Sequence, residues 1–379
     1  MNSTQKGILY FGSFELPDKN AAANRVINNG KALRELGYNV VFCGISKSSE
    51  EATSFEYSGF KCFARPLSSK LINRIKVFVS ISQFGKIANS INNLKYVVLY
   101  DLHFILLKKI INYCRRKRIV VVADVTEWYE NPFSIIPSRF LKWIDTKKTM
   151  NAYHNCLDGL IVVSKYLFDY YKSDVKKIAM IPPLVDKKDS KWTNYARRND
   201  SSLTTFVYSG EIGKNKDNLC FVLKCFELIR DEFNFEFKIA GLSESEFLNV
   251  YPEIKNTIER LEKKVTFLGR ISHDESIKLL REANYCVFIR AKTRKNMAGF
   301  PTKFVECVTS GIGIVASNVS NISDYKDKCD CILLDDVDEC KLTEAFRLCM
   351  NRKIETNHDT SVFDYRNHLE GFQKIFKED

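Results

Sequence analysis

Short apolar runs of strand length alternate with amphipathic helical patterns along most of this chain. The runs are four to six residues long and rich in Val, Ile, Leu and Phe, which is typical of strands buried on both faces of a parallel sheet. They lie at 7–11, 39–44, 96–100 and 118–123, and again at 205–208, 235–240, 265–268, 285–289 and 312–316. Because the strand–loop–helix pattern starts afresh near residue 205, we predict two doubly wound α/β domains.

A polar segment separates the two series of strands. Pro182-Pro183 interrupts regular structure, and residues 187–202 are polar and charged, which is typical of a linker. We therefore predict an N-terminal domain at 1–186, this linker, and a C-terminal domain at 203–360, followed by an amphipathic segment at 361–379. The 379 residues are enough for each domain to bury a core.

The composition is that of a soluble globular protein, with 45% hydrophobic and 27% charged residues. No apolar run reaches the ~18 residues of a transmembrane helix, and the first apolar run is too short for a signal peptide. The twelve cysteines show no repeated C-x-x-C spacing, which indicates reduced, buried thiols. We therefore expect a cytoplasmic protein, either free or at the inner face of the cytoplasmic membrane.

The net charge of +12 comes entirely from the first half of the chain. Residues 1–186 hold 27 Lys and Arg against 15 Asp and Glu, whereas residues 187–379 hold 31 of each. A basic domain can meet nucleic acid, anionic lipid or a phosphate-bearing substrate, or can be basic for solubility alone. No zinc-finger, RNP-type or basic-arm signature accompanies the charge, so we expect no nucleic acid partner.

Residues 294–317 predict a tight loop, a helix and a buried strand in direct succession. Pro301 suits the first helical position, and Gly311 ends the helix. The free N–H groups at the start of this helix point at a loop rich in Arg and Lys, which is a place for an anion. Glu306 in the same helix also has a simpler explanation, complementarity to the helix dipole.

The run Phe300-Pro-Thr-Lys-Phe-Val-Glu306 resembles the donor-binding segment of the retaining group 1 glycosyltransferases of the GT-B fold. The family pattern is E-G-F-G-x-x-x-x-E, in which Gly299, Phe300 and Glu306 match. This chain departs from it at Ala298, where the family has a Glu that helps to hold the donor sugar. The A-G-F-P-T-K variant resembles the subset that builds bacterial surface and capsular polysaccharides.

This resemblance implies an α/β GT-B fold, with two Rossmann-like doubly wound domains facing a central cleft. It also implies that segment 361–379 is a helix packing back on the N-terminal domain. Lys216 would bind the donor diphosphate as a catalytic cation, supported by Lys214 or Arg294, although many relatives carry an Arg where this chain has Glu211. The full set of implied donor-binding residues is Gly12, Arg25, Gly210, Lys214, Lys216, Gly241, Leu268, Arg270, Arg294, Gly299, Phe300, Thr302, Lys303 and Glu306.

Asp124-Val-Thr-Glu-Trp-Tyr129 follows a predicted strand, at the end where ligands sit in open α/β sheets. Carboxylates bind sugar hydroxyls and aromatic rings stack on sugar faces, so Asp124 and Glu127 are predicted catalytic residues and Trp128 a stacking surface. The run also resembles the same polysaccharide subset. The alternative is structural, with Trp128 in the core and Asp124 as a cap. Arg25 likewise has an alternative as a solvated helix residue.

Residues 133–150 are basic and amphipathic, a pattern with two explanations. The segment either contacts an anionic membrane from the side or is a helix packed on the sheet. Asp336-Val-Asp338 formally fits the metal motif D-x-D, but its place before a helix favours capping, so no metal is expected.

We therefore predict a metal-independent, retaining, hexosyltransferase-like enzyme. It would need no cofactor, and would move a sugar from a nucleotide-sugar substrate to a lipid-linked or polysaccharide acceptor. A GT-B sugar-nucleotide epimerase and a non-catalytic module that binds sugar nucleotides or membrane are the two alternatives.

Overall fold

The fold was analysed in a computed structural model of the chain, which describes residues 5–17, 20–47, 51–67, 79–129, 133, 135–193, 203–210, 217–352 and 359–377. Internal contacts divide the chain into two compact units. Unit 1 comprises Met1–Val185 and Asp364–Asp379, and unit 2 comprises Asp186–Phe363. Each unit has its own sheet.

Unit 1 is built on an eight-stranded sheet with the order β3-β4-β2-β1-β5-β6-β7-β8. All neighbouring pairs are parallel except β3 and β4 at one edge. The strands are β1 Gly7–Gly12, β2 Asn39–Ser46, β3 Thr53–Tyr57, β4 Phe60–Pro66, β5 Leu94–Tyr100, β6 Val120–Val125, β7 Gly159–Val162 and β8 Ile178–Met180. The apolar runs of the sequence thus form the buried central strands, because both faces of a parallel sheet are covered.

The helices of unit 1 follow its strands in the alternation that the sequence predicts. They are α1 Ala21–Glu35, α2 Ser82–Asn89, α3 Phe104–Arg116, α4 Pro137–Lys148, α5 Lys165–Tyr171 and, from the end of the chain, α14 Leu369–Phe376. Asn20 caps α1 by accepting a hydrogen bond from the N–H of Ala23 at 2.9 Å. Phe376 of α14 packs against Tyr38 and Tyr96, with ring centroids 5.9 and 5.2 Å away.

Unit 2 has an all-parallel six-stranded sheet with the order β11-β10-β9-β12-β13-β14. Its strands are β9 Thr204–Ser209, β10 Phe235–Ala240, β11 Val265–Phe267, β12 Tyr285–Phe288, β13 Gly313–Ser317 and β14 Cys331–Leu334. Its helices are α6 Ser190–Thr193, α7 Leu219–Leu228, α8 Glu244–Val250, α9 Lys255–Leu261, α10 His273–Glu282, α11 Arg294–Ala298, α12 Thr302–Ser310 and α13 Glu339–Asn351. This strand order is that of the Rossmann fold, with its switch point between β9 and β12.

Three local features differ from or refine the sequence expectations. Residues 294–298, predicted as part of a tight loop, form the short helix α11, because Thr293 accepts a hydrogen bond from the N–H of Asn296 at 3.2 Å and caps it. Trp192, inside the predicted linker, is buried in unit 2 and accepts a hydrogen bond from Arg281 at its carbonyl. Asp338 caps α13, as predicted, through the N–H of Lys341.

Among the residues that the structure describes, no helix combines the length and the apolar character needed to cross a bilayer.

Candidate functional site

Three charged side chains meet at the switch point of the unit 2 sheet. Asp217 lies beyond β9, Arg290 follows β12, and Lys303 is in the first turn of α12. The Asp217 carboxylate contacts Arg290 Nε at 2.5 Å and Lys303 Nζ at 2.9 Å, and accepts a hydrogen bond from the Tyr208 hydroxyl at 2.9 Å. We call these four residues the Asp217 cluster. It lies where open α/β sheets bind ligands, and it holds two cations for one carboxylate.

The pKa values of Asp217 and Tyr208 are shifted within the Asp217 cluster. Burial alone would raise the pKa of Asp217, but the charges of Lys303 and Arg290 outweigh burial and lower this pKa to about 2. Burial raises the pKa of Tyr208, and the neighbouring Asp217 charge raises it further, so the hydroxyl stays a donor. The side chain of Asp217 is 2% exposed, whereas those of Arg290 and Lys303 are 19% and 11% exposed. The cations are therefore the members that a ligand can reach.

Gly210, directly after β9, lies against Lys303 at the start of α12. Its φ is +151°, and a Cβ added there would lie 2.5 Å from Lys303 Nζ. A side chain at this position would therefore displace the lysine head. Thr302 and Lys303 are the first two residues of α12, whose early N–H groups lack partners within the helix. Gly210, Lys303 and this helix terminus thus lie together.

Glu306 lies one turn further along α12 and is close to His273, which is not part of the family pattern. Its Oε1 is 3.4 Å from His273 Nε2, at the start of α10. Both side chains are partly exposed, Glu306 by 22% and His273 by 27%. This pair offers a carboxylate and an imidazole beside the Asp217 cluster.

The remaining predicted donor residues lie in loops of unit 2 and in the short helix α11. Gly241 has φ +133° and donates its N–H to the carbonyl of Gly269, while Leu268 and Arg270 are exposed in the next loop. Arg294 is exposed on α11, and Gly299 links α11 to the residues before α12.

Phe300 is buried in unit 2, in contact with other aromatic rings. Its ring centroid lies 5.8 to 6.2 Å from those of Tyr325, Phe363 and Phe304. Its side chain therefore anchors the loop that precedes α12.

Lys214 and Lys216, the predicted phosphate-binding lysines, lie outside the described residues, as does Glu211. Lys216 directly precedes Asp217 in the chain.

Unit 1 contains a cavity of about 310 Å³ beyond the carboxyl ends of β5 and β6. Its polar lining includes Asp101, His103, Asp124, Glu127, Tyr129, Lys142 and Asp145. The Tyr129 hydroxyl donates to Asp101 at 2.9 Å, and burial raises the pKa of Asp101. Carboxylates, an imidazole, a phenol and an amine around one cavity are groups that can bind sugar hydroxyls.

His103 and Asp145 form the best-defined pair in this cavity. Asp145 lies 2.6 Å from His103 Nδ1 and accepts a hydrogen bond from the N–H of Phe104 at 2.7 Å, so it also caps α3. The hydrogen bond to Asp145 raises the pKa of His103 against the opposing effect of burial. His154 at the back of the cavity has its pKa lowered to about 4 by burial, so it is neutral near pH 7.

Arg25 and Asp124, predicted separately as donor-binding and catalytic residues, are paired in the interior of unit 1. Arg25 Nη2 lies 2.7 Å from Asp124 Oδ1, and the two residues are 4% and 3% exposed. The Asp124 carboxylate also accepts hydrogen bonds from Tyr10 and Asn29, and Arg25 donates to the carbonyls of Ile181 and Pro182. These contacts tie together α1, β1, β6 and the segment after β8, and Asp124 also lines the cavity.

Two other expectations for unit 1 have structural explanations. Trp128, expected as a stacking surface for sugar, is instead 7% exposed and packs edge-on against Tyr170 at 4.8 Å, so that expectation is wrong. The hydrophobic effect favours burial of a large ring that can reach the core.

Gly12 allows a close approach of two strands, because a Cβ there would lie 2.1 Å from the carbonyl oxygen of Tyr100. Glu127 is exposed and lines the cavity.

Sequence reasoning missed Arg290, His273 and Asp145, and it gave Asp217 and His103 no role. Asp217 directly follows a stretch of sequence rich in Gly and Lys, and His103 follows a buried strand, so the position of each residue in the sequence was a signal for it. In sequence, Arg290, His273 and Asp145 look like ordinary polar residues of helices and strand ends. Only the side chains that they contact in the structure indicate a role in a site.

A comparison with known protein families finds a match within unit 2. Residues 204–352 match the family model described as glycosyl transferases group 1. Unit 2 therefore carries a group 1 glycosyltransferase domain, and the Asp217 cluster lies within it. No curated protein sequence matches the chain.

Solved structures match the whole chain in fold. Sucrose-phosphate synthase from Thermosynechococcus elongatus has a TM-score of 0.65 at 15% identity, covering 98% of this chain and 95% of that one. A glycosyltransferase from Rickettsia africae has a TM-score of 0.68 at 13% identity, covering 99% of this chain and 100% of that one. A trehalose-6-phosphate structure from E. coli, bound with UDP-2-fluoro glucose, has a TM-score of 0.64 at 10% identity, covering 97% and 98%. The predicted GT-B class with two Rossmann-like domains is thus confirmed.

Proposed function

We propose that this chain is a retaining, metal-independent glycosyltransferase, hexosyltransferase-like in its donor. It would move a sugar from a nucleotide-sugar to a lipid-linked or polysaccharide acceptor in surface polysaccharide biosynthesis. The observation that carries the proposal is the presence of two cations, the partly exposed Arg290 and the largely buried Lys303, at the switch point of the group 1 domain. One structural neighbour bound with UDP-2-fluoro glucose is consistent with a nucleotide-sugar donor.

The donor diphosphate would lie at the start of α12. Lys303 and Arg290 supply positive charge there, and the first N–H groups of α12 supply hydrogen-bond donors. The family resemblance adds Lys216, which lies outside the described residues. Gly210 keeps the space beside Lys303 open. Glu306 would accept hydrogen bonds from the ribose hydroxyls, with His273 beside it, and the backbone near Leu268 and Arg270 would hold the base.

The reaction needs no nucleophile from the protein. The bond between the anomeric carbon and the diphosphate oxygen breaks, and the acceptor hydroxyl oxygen bonds to the same face of that carbon. The proton of the acceptor hydroxyl moves to the departing phosphate oxygen. Negative charge grows on the diphosphate as its bond breaks, so fixed cations and N–H groups stabilise the transition state more than the ground state.

The acceptor would bind in the cavity of unit 1. Glu127, Asp101 and Tyr129 offer acceptors and a donor for sugar hydroxyls within about 310 Å³. Asp124 forms part of the wall and is held there by the buried Arg25, which gives these two predicted site residues a positioning role in the proposal.

The first experiment is a thermal-shift screen of the full chain against nucleoside diphosphates and their sugars, because ligands that bind only the folded state raise Tm. Donors that bind are then incubated with lipid-linked and polysaccharide acceptors, and the anomeric configuration of the product is read by NMR. We expect transfer with retention, unchanged by EDTA. Release of free sugar without transfer would favour the epimerase alternative, and binding without turnover would favour the non-catalytic module.

Two variants test the residues. Lys216→Ala should abolish transfer while leaving Tm unchanged, because it removes charge from the diphosphate. Glu306→Ala should mainly raise the Kd for the donor. The matched control is Lys278→Ala, an exposed lysine on the solvent side of α10. Retained turnover in Lys216→Ala would count against the phosphate assignment.

A further inference from the structure

Several of the exposed apolar side chains in the described part of the chain lie close together in one short segment. Phe133, Ile135, Ile136, Phe140 and Leu141 are 62%, 89%, 47%, 37% and 62% exposed. They are five of the twelve large apolar side chains that are exposed among the described residues. Exposed apolar groups in such a contiguous group mark an interaction surface.

Aromatic rings give this surface a defined shape. Phe140 and Trp143 are stacked with centroids 5.8 Å apart, and Phe133 packs edge-on against Trp143 at 5.3 Å. These rings and the neighbouring aliphatic side chains project from the start of α4 and the residues before it. We call residues 133–143, as far as they are described, the apolar tip.

Basic side chains lie within the apolar tip and directly after it in the chain. Arg139, Lys142, Lys147 and Lys148 are all exposed, and Lys147 Nζ lies 5.0 Å from the ring centroid of Trp143. The single acidic residue between 131 and 150 is Asp145, and its carboxylate is engaged by His103 and the N–H of Phe104. The surroundings of the tip are therefore positively charged, which complements an anionic partner.

The two observations together select the class of partner. Trp and Phe with aliphatic side chains at the start of a helix, and Lys and Arg along the same helix, resemble the segments that lie in a membrane interface. A protein groove would need complementary walls, whereas a bilayer accepts apolar side chains at any point and anionic headgroups attract the lysines. We propose that the apolar tip inserts into the headgroup region of an anionic bilayer, with Lys147 and Lys148 contacting the headgroups.

This surface lies next to the proposed acceptor cavity. Lys142, Asp145 and Thr146 of α4 line that cavity, while Phe140 and Leu141 are exposed on the same helix. A membrane contact through α4 would place the cavity close to lipid-linked acceptors. The contact itself does not rest on the proposed transferase activity, because vesicle binding requires neither donor nor acceptor.

The test is cosedimentation of the full chain with vesicles of phosphatidylcholine alone and of phosphatidylcholine mixed with phosphatidylglycerol. We expect at least about tenfold tighter binding to the anionic vesicles, weakened by added salt because salt screens the headgroup charge. Ile135→Asp with Leu141→Asp should reduce binding more than about tenfold, since two carboxylates would enter the interface. Lys147→Ala with Lys148→Ala should cost roughly fivefold per lysine, on the anionic vesicles only.

The matched control is Leu228→Asp with Leu348→Asp, two leucines of unit 2 that are 55% and 52% exposed. It should bind vesicles as the wild type does, and Tm should be unchanged in all these variants. The proposal is overturned if the chain does not sediment with anionic vesicles or if the control loses as much binding. It is also overturned if Ile135→Asp instead dissolves a dimer seen by size-exclusion chromatography, because the tip would then bind a second copy. Vesicle binding without transfer would refute the proposed function and leave this inference standing.

Discussion

Each unit contains a buried cluster of opposite charges, and the two clusters differ in their charge balance. In unit 1 one guanidinium meets one carboxylate, with Arg25 and Asp124 almost fully buried. In unit 2 Asp217 is buried to the same degree, but it meets two cations whose side chains are 19% and 11% exposed. The first cluster is neutral and enclosed, whereas the second carries a net positive charge that solvent reaches.

This difference in net charge and exposure indicates a different role for each cluster. A neutral, buried pair with every oxygen hydrogen-bonded orders the elements that it joins and offers nothing to an anion. An excess cation at a helix terminus is instead stabilised further when an anion arrives. We therefore expect substitutions in the Arg25–Asp124 pair to change stability, and substitutions of the cations around Asp217 to change nucleotide binding.

The largest effect is expected for Asp124→Asn. It leaves the Arg25 guanidinium buried without a counter-charge, which typically costs about 3–5 kcal/mol. Urea unfolding should show a lower midpoint at an unchanged slope. Asp169→Asn, which removes one partner of a surface pair with Lys172, is the control and should unfold as the wild type does. A similarly small change in Asp124→Asn would contradict the structural role of the pair.

The second prediction concerns acid unfolding. Although burial opposes it, the cations Lys303 and Arg290 lower the pKa of Asp217 to about 2, below the ~3.9 of an unfolded Asp. Asp217 therefore contributes stability above about pH 4 that is lost as the pH falls towards 2, on the order of 2 kcal/mol. Asp217→Asn should flatten the stability curve between these pH values, as measured by denaturant unfolding. The control is Asp231→Asn, whose side chain is 84% exposed and which should leave the dependence of stability on pH unchanged. The same result for Asp217→Asn would argue against the ion pairs of Asp217 with Lys303 and Arg290.

The third prediction separates binding from stability. Lys303→Met should weaken nucleoside diphosphate binding by roughly 10–100-fold, because hydrogen bonds to charged groups contribute about 1.5–3 kcal/mol. Calorimetric titration measures the effect, and Lys278→Met on α10 is the control of equal charge change. Equal affinities in the two variants would place the diphosphate elsewhere.

The smallest effect is expected at a half-exposed pair, His103 and Asp145, whose side chains are 50% and 24% exposed. Because the hydrogen bond to Asp145 raises the pKa of His103, the pair stabilises the fold fully below the unfolded His pKa of ~6.5. That stability is lost as the pH rises through the folded pKa. Asp145→Asn should move the NMR titration of His103 to lower pH, and a titration that does not move would show that the two side chains are not coupled.

Much of the fold could be predicted from the chain itself. Apolar runs predict strands because both faces of a parallel sheet must be buried, and Gly311 ends α12 with φ +69° because glycine tolerates that conformation. The place of the unit 2 site also follows from the pattern, since helix starts and strand ends meet at one edge. Trp128 was misassigned because an aromatic residue at a strand end looks the same in sequence whether it faces a ligand or the core.

What the sequence determined by itself is therefore the local elements and the edge at which ligands would gather, because hydrophobic periodicity and backbone conformational limits act over a few residues. Tertiary structure alone decided which charges meet. Arg25 and Asp124 are 99 residues apart in the chain, and Asp217 and Lys303 are 86 apart. Electrostatic interaction depends on distance and burial in space, so the same lysine or aspartate is a solvated surface group or half of a buried pair according to the fold around it.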